Sequence, residues 1–278
     1  MTCKVNLFDK RLIKEFGRIV SVIGTIIAFI LIFVEIPPHY KLISGIIFIC
    51  ILICIYIGLW VYANKLTHIS LNIGSSTVHI KAGDIFEQDG LKVIPFNEYF
   101  DIQVDDRIIA AISLNGQYIK RNFEDPEDLK EKIQSDRDLN IAENIIEKNI
   151  MREGNVTRYK LGSTVVVNDF VLTAFAKFSD KNKAELTMVE YINFLMYFWN
   201  EINRVYAQKS VSVPIFGSGL TNFKNGFEDI DDNELLKIMI WTFKISKMKF
   251  TYPAKLSIII NNDKLDRMNI FKLKEEEK

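Results

Sequence analysis

The stretch from Leu42 to Ala63 contains no charged residue, and it constrains this chain more than any other feature. An α-helix rises about 1.5 Å per residue, so about 20 residues cross a hydrocarbon core of roughly 30 Å. A helix also satisfies its own backbone hydrogen bonds, which lipid cannot do. A second apolar run, Ile19 to Val34 with Glu35 and Ile36 after it, sits at the short end of that range. Between the two lies Pro37-Pro38-His39-Tyr40-Lys41, where two prolines stop a helix and leave room for a tight antiparallel turn. The expectation is a transmembrane α-helical hairpin over residues 1–66, with spans at 19–36 and 42–63.

Positive charge orients the hairpin. Lys4, Lys10, Arg11, Lys14 and Arg18 precede the first run, Lys41 alone lies in the turn, and Lys65 follows the second run. Positive flanks stay in the cytoplasm, so the N-terminus and everything after Lys65 are expected on that side of a multi-pass protein. Tyr40, Trp60 and Tyr62 fall where interfacial aromatics belong. A cleaved signal sequence is a poor account of the first run, because a second span follows at once and no small-residue cleavage site is evident. Gly24, Ser44, Gly45 and Gly58 would let helices approach closely. Glu35 is either a headgroup-level carboxylate or a group used in oligomer packing or a pore mouth.

Residues 67–278 suffice for one domain with a full core. Lysine plus arginine and aspartate plus glutamate number 35 each, so net charge gives no electrostatic footprint for nucleic acid. The three cysteines are Cys3, Cys50 and Cys54; the last two share a helix face inside the apolar run. Neither a disulfide framework nor a metal-binding cysteine motif follows from that spacing.

Periodicity places strands at Thr77–Ala82 and Leu91–Phe96, the latter apolar enough for the centre of a sheet. Helical spacing covers Asp105–Tyr118. Asp125-Pro126-Glu127-Asp128 starts a helix expected to run to about Asn149. Ser163–Asn168 and Phe170–Phe178 form a strand pair, and Ala184–Ala207 an amphipathic helix. Then come a strand at Val211–Phe216, a helix at Asn233–Lys247, a strand at Leu256–Ile260 and a frayed tail from Lys272. Alternating strands and helices imply an α/β three-layer domain with a mixed sheet, and ligands of such sheets bind at the strands' carboxyl ends.

Three strand ends carry chemistry. Gly83-Asp84-Ile85 allows a sharp exit and offers a carboxylate to an exocyclic amine. Asn97, after Pro95-Phe96, could both donate to and accept from ribose hydroxyls. Gly217-Ser218-Gly219 follows a buried strand and exposes backbone N–H groups that suit phosphate oxygens. Each alone is also compatible with an ordinary turn.

In this order and spacing the three resemble the macro domain, a reader of ADP-ribose and related nucleotides, over about residues 76–273. The resemblance implies that Asp84 contacts the adenine amine with Ile85 beside it, and that Asn97 contacts the distal ribose. The loop from Gly217 through Ser218, Gly219, Leu220, Thr221 and Asn222 to Phe223 would wrap the diphosphate. Hydrolytic macro domains carry a glycine-rich loop after the Asn; here Asp101-Ile102-Gln103-Val104-Asp105-Asp106-Arg107 stands instead. A sensor without catalytic residues is therefore expected. Asp105 and Asp106 would either cap a helix or meet a charged group on the distal ribose.

Two spans followed by a divergent macro domain look like the ThsA effectors of Thoeris antiphage defence, of the transmembrane-macro type. That resemblance implies a bacterial inner-membrane protein without metal or bound cofactor. Its ligand would be an ADP-ribose derivative made by a TIR-domain enzyme, histidine-ADP-ribose for this type. Binding would drive homo-oligomerisation, membrane disruption and abortive infection. A membrane-tethered hydrolase using Glu98, the one acid near Asn97, and a tethered protein-binding scaffold remain as alternatives.

Overall fold

The computed structural model describes residues 4–179, 182–246, 248, 250 and 254–277, with side chains as far as Leu273. The chain divides into two units, residues 1–69 with 266–275, and residues 70–265 with 276–278.

The first unit holds α1 (Lys10–Leu31) and α2 (Pro38–Lys65). Asp9 caps α1 by accepting from Arg11 N at 2.9 Å, and Pro38 opens α2 where its missing N–H costs nothing. The two pack through Phe16 and Tyr56, whose rings meet edge to face at 5.0 Å. Trp60 Nε1 donates to the Val5 carbonyl at 2.9 Å, and Asn64 Oδ1 accepts from Val5 N at 3.0 Å. Val5, Leu12, Ala63 and Phe271 form a buried cluster there.

Among the described residues α2 alone is long and apolar enough to cross a membrane. The first expected span is corrected. Its helix starts nine residues early, at Lys10, and stops at Leu31, so residues 32–36 are not helical. The uncharged helical part, 19–31, reaches only roughly 20 Å. Lys10, Arg11, Lys14, Glu15 and Arg18 occupy the rest.

The second unit is built on a nine-stranded sheet with the order β1-β2-β11-β9-β3-β7-β8-β10, β6 pairing with β7. The strands are β1 (His68–Ile73), β2 (Ser76–Ala82), β3 (Leu91–Asn97), β6 (Thr164–Val167), β7 (Phe170–Phe178), β8 (Ala184–Thr187), β9 (Val211–Pro214), β10 (Asn222–Lys224) and β11 (Leu256–Ile260). A two-stranded ribbon of β4 (Ile145–Glu147) and β5 (Arg158–Tyr159) stands apart. The central pairs β2–β11, β11–β9, β9–β3 and β3–β7 are parallel, whereas β7 runs antiparallel to β6 and β8. Central parallel strands covered on both faces read as apolar runs, and β3 does.

Successive side chains of a strand point to opposite faces. On β7, Leu172 and Ala174 join the core that includes Tyr118, Ile119, Leu129 and Ile133 of α3 (Leu114–Asn122) and α4 (Pro126–Ser135). Phe175 meets Phe194, on α5 (Met188–Val205), edge to face at 4.9 Å. Trp199 of α5 meets Phe243 of α6 (Asp232–Ile245) at 5.2 Å and donates to Thr242 Oγ1 at 3.1 Å. Three layers result.

Four expected boundaries move. Residues 105–113 are a chain of bends, and α3 begins only at Leu114, capped by Ser113. The helix from Pro126 stops at Ser135, because Asp136 turns back to accept from Leu139 N at 2.7 Å. Residues 184–187 form a strand, and α5 starts where Thr187 and Glu190 make a capping box. The tail is held rather than frayed as far as Leu273, which is buried with Met268, Ile270 and Phe271.

Candidate functional site

Parallel strands end on one edge, and here β2, β11, β9, β3 and β7 deliver their carboxyl ends to a single cleft of about 840 Å³. The residues at and after the strand ends form its walls: Gly83–Ile85, Ile259 with Asn261–Lys264, Pro214–Asn222, Pro95–Asn97, and Phe175 with Ala176 and Phe178. Such a convergence is the usual ligand position in sheets of this class, and the volume suits a nucleotide-sized molecule.

At one end Gly83 N donates to Ile260 O at 3.0 Å, which ties the exit of β2 to the end of β11. Asp84 caps a short 3-10 turn over Ile85–Glu87, its Oδ1 accepting from Phe86 N at 2.9 Å. Its Oδ2 lies 3.4 Å from Arg121 Nη1. The Arg121 guanidinium lies 4.2 Å from the Phe86 ring centroid, which fixes it from behind. One carboxylate is thus oriented at the cleft wall by two donors and keeps lone pairs for a third.

Asn97 is 2 % exposed and lines the cleft. Its Oδ1 accepts from Tyr99 N and Asp101 N, both at 3.1 Å, and its Nδ2 donates to Asp101 Oδ2 at 2.8 Å. The amide therefore organises the chain after β3, and only its second N–H is left for a ligand. Asp101, fully buried, is the hub. Arg152 donates to its two oxygens at 2.9 Å each, and Asn155 N donates at 2.7 Å. Gly154 (φ +91°) makes this approach possible, since a Cβ there would lie 2.4 Å from Asp101 Oδ1.

The strand β9 runs into the third motif. Gly217 has φ +83°, a region that suits glycine, and Ser218 Oγ closes the turn on Ile215 O at 2.8 Å. The N–H groups of Gly219, Leu220 and Thr221 have no acceptor among the described residues. A row of unfilled donors at a strand end has the chemistry that suits an anion. Asn222 Nδ2 donates to Ala184 O at 3.3 Å and fastens the loop to the sheet. Phe223 does not line the cleft; it lies buried beneath the loop, against Tyr191 and Gly217.

On the far wall Asp105 and Asp106 have different environments. Asp105 is outside the cleft lining. Its Oδ1 accepts from Ile108 N at 2.7 Å and Arg107 N at 2.9 Å, and those bonds lower its carboxyl below the ordinary value. Asp106 lines the cleft with φ +60° and accepts from Ala111 N through Oδ1 at 2.7 Å, which leaves Oδ2 to a ligand. Neither caps a helix, because none begins there. Ser113, Asn115 and Gln117 of α3's start complete a polar wall.

Glu98 is 6 % exposed, does not line the cleft and accepts from Phe178 N at 3.3 Å. Burial raises its carboxyl above the ordinary value, against the opposing effect of that bond. No group of His, Cys, Asp or Glu among the described residues is placed to hold a metal ion.

The structure thus brings Asp84, Ile85, Asn97, Asp106, Gly217, Ser218, Gly219, Leu220, Thr221 and Asn222 to one cleft, and leaves Asp105 and Phe223 outside it. Arg121, Asp101, Arg152 and the wall Asn261–Lys264 were not anticipated. The Asn261–Lys264 wall could have been found from the rule that strand ends bind, applied to β11. Arg152 carries no such signal, since it stands 51 positions along the chain from Asp101.

A family model described as the macro domain of Thoeris protein ThsA matches residues 78–261. Thoeris protein ThsA of Bacillus amyloliquefaciens (strain Y2) is 42 % identical over 275 residues, covering 95 % of this chain and 91 % of that one. Among solved structures, a point mutant of an Oceanobacillus iheyensis macrodomain aligns at 12 % identity and TM-score 0.47, covering 75 % of this chain and 92 % of the other. The same macrodomain with ADP aligns at 14 % identity and TM-score 0.39, covering 76 % and 94 %.

Proposed function

We propose a function from one premise: the chain belongs to the ThsA family of Thoeris proteins. It is a membrane-anchored receptor for an ADP-ribose-type nucleotide signal and an effector of antiphage defence, without enzymatic activity of its own. The observation that carries this reading is the nest after β9, with its unfilled N–H groups, in one cleft with the oriented carboxylate of Asp84.

In the proposed complex Asp84 takes the adenine amine and Ile85 packs beside the base. The N–H groups of residues 219–221 hold the diphosphate. The last free N–H of Asn97 meets the distal ribose. Asp106 Oδ2 sits where a donor or cation attached to that ribose would lie, which fits histidine-ADP-ribose supplied by a partner TIR-domain enzyme. Absence of catalysis is inferred from two acids: Glu98 lies outside the cleft, and Asp106, which lines it, is engaged by Ala111 N. Neither is arranged with a base partner.

The anchor is α2 in the cell membrane, with α1 beside it as a partial second span whose charged half, Lys10–Arg18, rests at cytoplasmic headgroups. A ligand shifts a protein's state only by binding one state better than another. Here the favoured state is a self-associated one, in which several anchors gather and breach the bilayer, ending in abortive infection. The test is calorimetry on the full chain in detergent with histidine-ADP-ribose and ADP-ribose. Heat from the first, weaker heat from the second and none after Gly217→Glu is the expected pattern. No heat from either ligand, in a folded protein, would leave a tethered scaffold as the better account.

A further inference from the structure

Of the places where the chain crosses between the units, those after α2 and after β11 differ in kind. The first leads from α2 into β1, which among the described residues is an edge strand paired with β2 and lies outside the cleft. The second leaves from β11, which sits between β2 and β9, the two strands that carry Gly83–Ile85 and the Gly217 nest. Immediately after β11, Asn261, Asn262, Asp263 and Lys264 line the cleft. They are held in a 3-10 turn over Asn262–Arg267 in which Lys264 N donates to Asn261 O at 2.9 Å, and Lys264 Nζ pairs with Asp232 at 3.3 Å.

The chain then passes at once into the helical unit. Asp266 pairs with Lys4 at 3.5 Å. Met268, Ile270, Phe271 and Leu273 are each less than 5 % exposed, and Phe271 belongs to the cluster of Val5, Leu12 and Ala63. That cluster is the foot of the helix pair, where Trp60 and Asn64 also grip Val5. Only six residues therefore separate the cleft-lining Lys264 from Phe271, whose side chain is embedded at the base of the anchor.

We propose that residues 261–273 are the element through which cleft occupancy acts on the α1–α2 foot. A ligand that engages Asn261–Lys264 changes the position or order of the 3-10 turn. The short connection passes that change to Phe271, whose packing holds Val5, Leu12 and Ala63 in the resting arrangement. The β1 crossing cannot do this, because it starts from an edge strand away from the ligand. This inference rests on the receptor reading above and adds its output route. It requires differential contacts in two states, as any coupling does.

The test uses the full chain in vesicles of phosphatidylethanolamine and phosphatidylglycerol with trapped dye, and histidine-ADP-ribose and ADP-ribose as probes. One variant inserts Gly-Gly-Ser between Arg267 and Met268, which adds up to about 10 Å of slack and leaves every packed side chain in place. A second is Phe271→Ala. Calorimetry reports binding, hydrogen exchange reports the amides of 268–273, and dye release reports the membrane.

In the native chain ligand should alter exchange at 268–273 and trigger release. In the insertion variant binding should stay within about threefold of native, while ligand-induced exchange change and release both fall about tenfold or more. Phe271→Ala should instead release dye without ligand. Unchanged exchange at 268–273 in a native chain that binds, or native-like release from the insertion variant, would overturn the inference and leave the receptor reading standing. No binding by the native chain would sink the receptor reading and this route with it.

Discussion

Phe223 lies directly beneath Gly217: a Cβ built on the glycine would come within 2.7 Å of the phenylalanine ring. The nest is therefore doubly restricted, by a positive φ and by the floor under it. Gly217→Ala should destabilise the domain by about 1–3 kcal/mol through strain alone. It should weaken ADP-ribose binding beyond that, because relief requires the loop to lift off Phe223. Combining it with Phe223→Leu should recover part of the affinity loss, a coupling that a thermodynamic cycle measures. Strictly additive effects would show that the floor does not shape the nest.

How far this arrangement was legible in the sequence follows from which interactions are local. Gly83-Asp84-Ile85, Asn97 and Gly217-Ser218-Gly219 each sit at the end of an apolar run, and the parallel sheet carries them to one edge. The errors share a cause. Asp105–Tyr118 has helical apolar spacing, but Ile108 and Ile109 are buried in the α3–α4 core from a bent chain, with Asp105 and Asp106 satisfying its backbone N–H groups. Side-chain acceptors replaced helical carbonyls, which a hydrophobic period does not register. Residues 32–36 read as part of a span because they are apolar apart from Glu35; the prolines after them restrict only Ile36 directly, and the helix ends five residues sooner, at Leu31, which apolarity does not register. Phe223 was expected at the ligand because the motif ends in an aromatic; its place under the loop depends on β10 pairing with β8, a contact distant in sequence.

The Asp101–Arg152 pair holds the chain after β3, and Asn97 with it. Asp101 is fully buried and the Arg152 side chain is 14 % exposed. Removing one partner of such a pair leaves an uncompensated charge and costs roughly 3–5 kcal/mol. Arg152→Met should therefore lower thermal stability severely. Asp101→Asn, which keeps one acceptor for Asn155 N, should cost less and still weaken nucleotide binding through the released Asn97 amide. Native affinity in a folded Asp101→Asn protein would show that Asn97 needs no positioning.

Glu98 gives a pH signature. Its folded carboxyl is raised above the ordinary value of 4.5 by burial. Between those two values the folded state holds more proton than the unfolded one, so stability falls as pH rises through that window. Above it the buried charge is a standing cost, set against the Phe178 hydrogen bond. Glu98→Gln, which retains an acceptor, should raise Tm at pH 7, and the gain should vanish as the pH is lowered below 4.5. Ligand affinity should not change, since Glu98 is outside the cleft. A loss of affinity or of any turnover would revive the hydrolase alternative.

Asp105 and Asp106 separate two explanations of the polar wall. Both accept backbone N–H bonds, so truncating either loosens the bends, and alanine at Asp106 would add strain at φ +60°. Asp106→Asn avoids both problems: asparagine tolerates that conformation and keeps the acceptor for Ala111 N. What it removes is the charge on the side that faces the cleft. If that charge meets a cationic or donor group on the distal ribose, Asp106→Asn should weaken histidine-ADP-ribose by about tenfold, as expected for losing one charge-assisted bond, and leave ADP-ribose unchanged. Asp105→Asn, outside the cleft, should shift both ligands alike. Calorimetry with the two ligands on the two variants decides it, and equal losses for both ligands in Asp106→Asn would remove Asp106 from any part in choosing the signal.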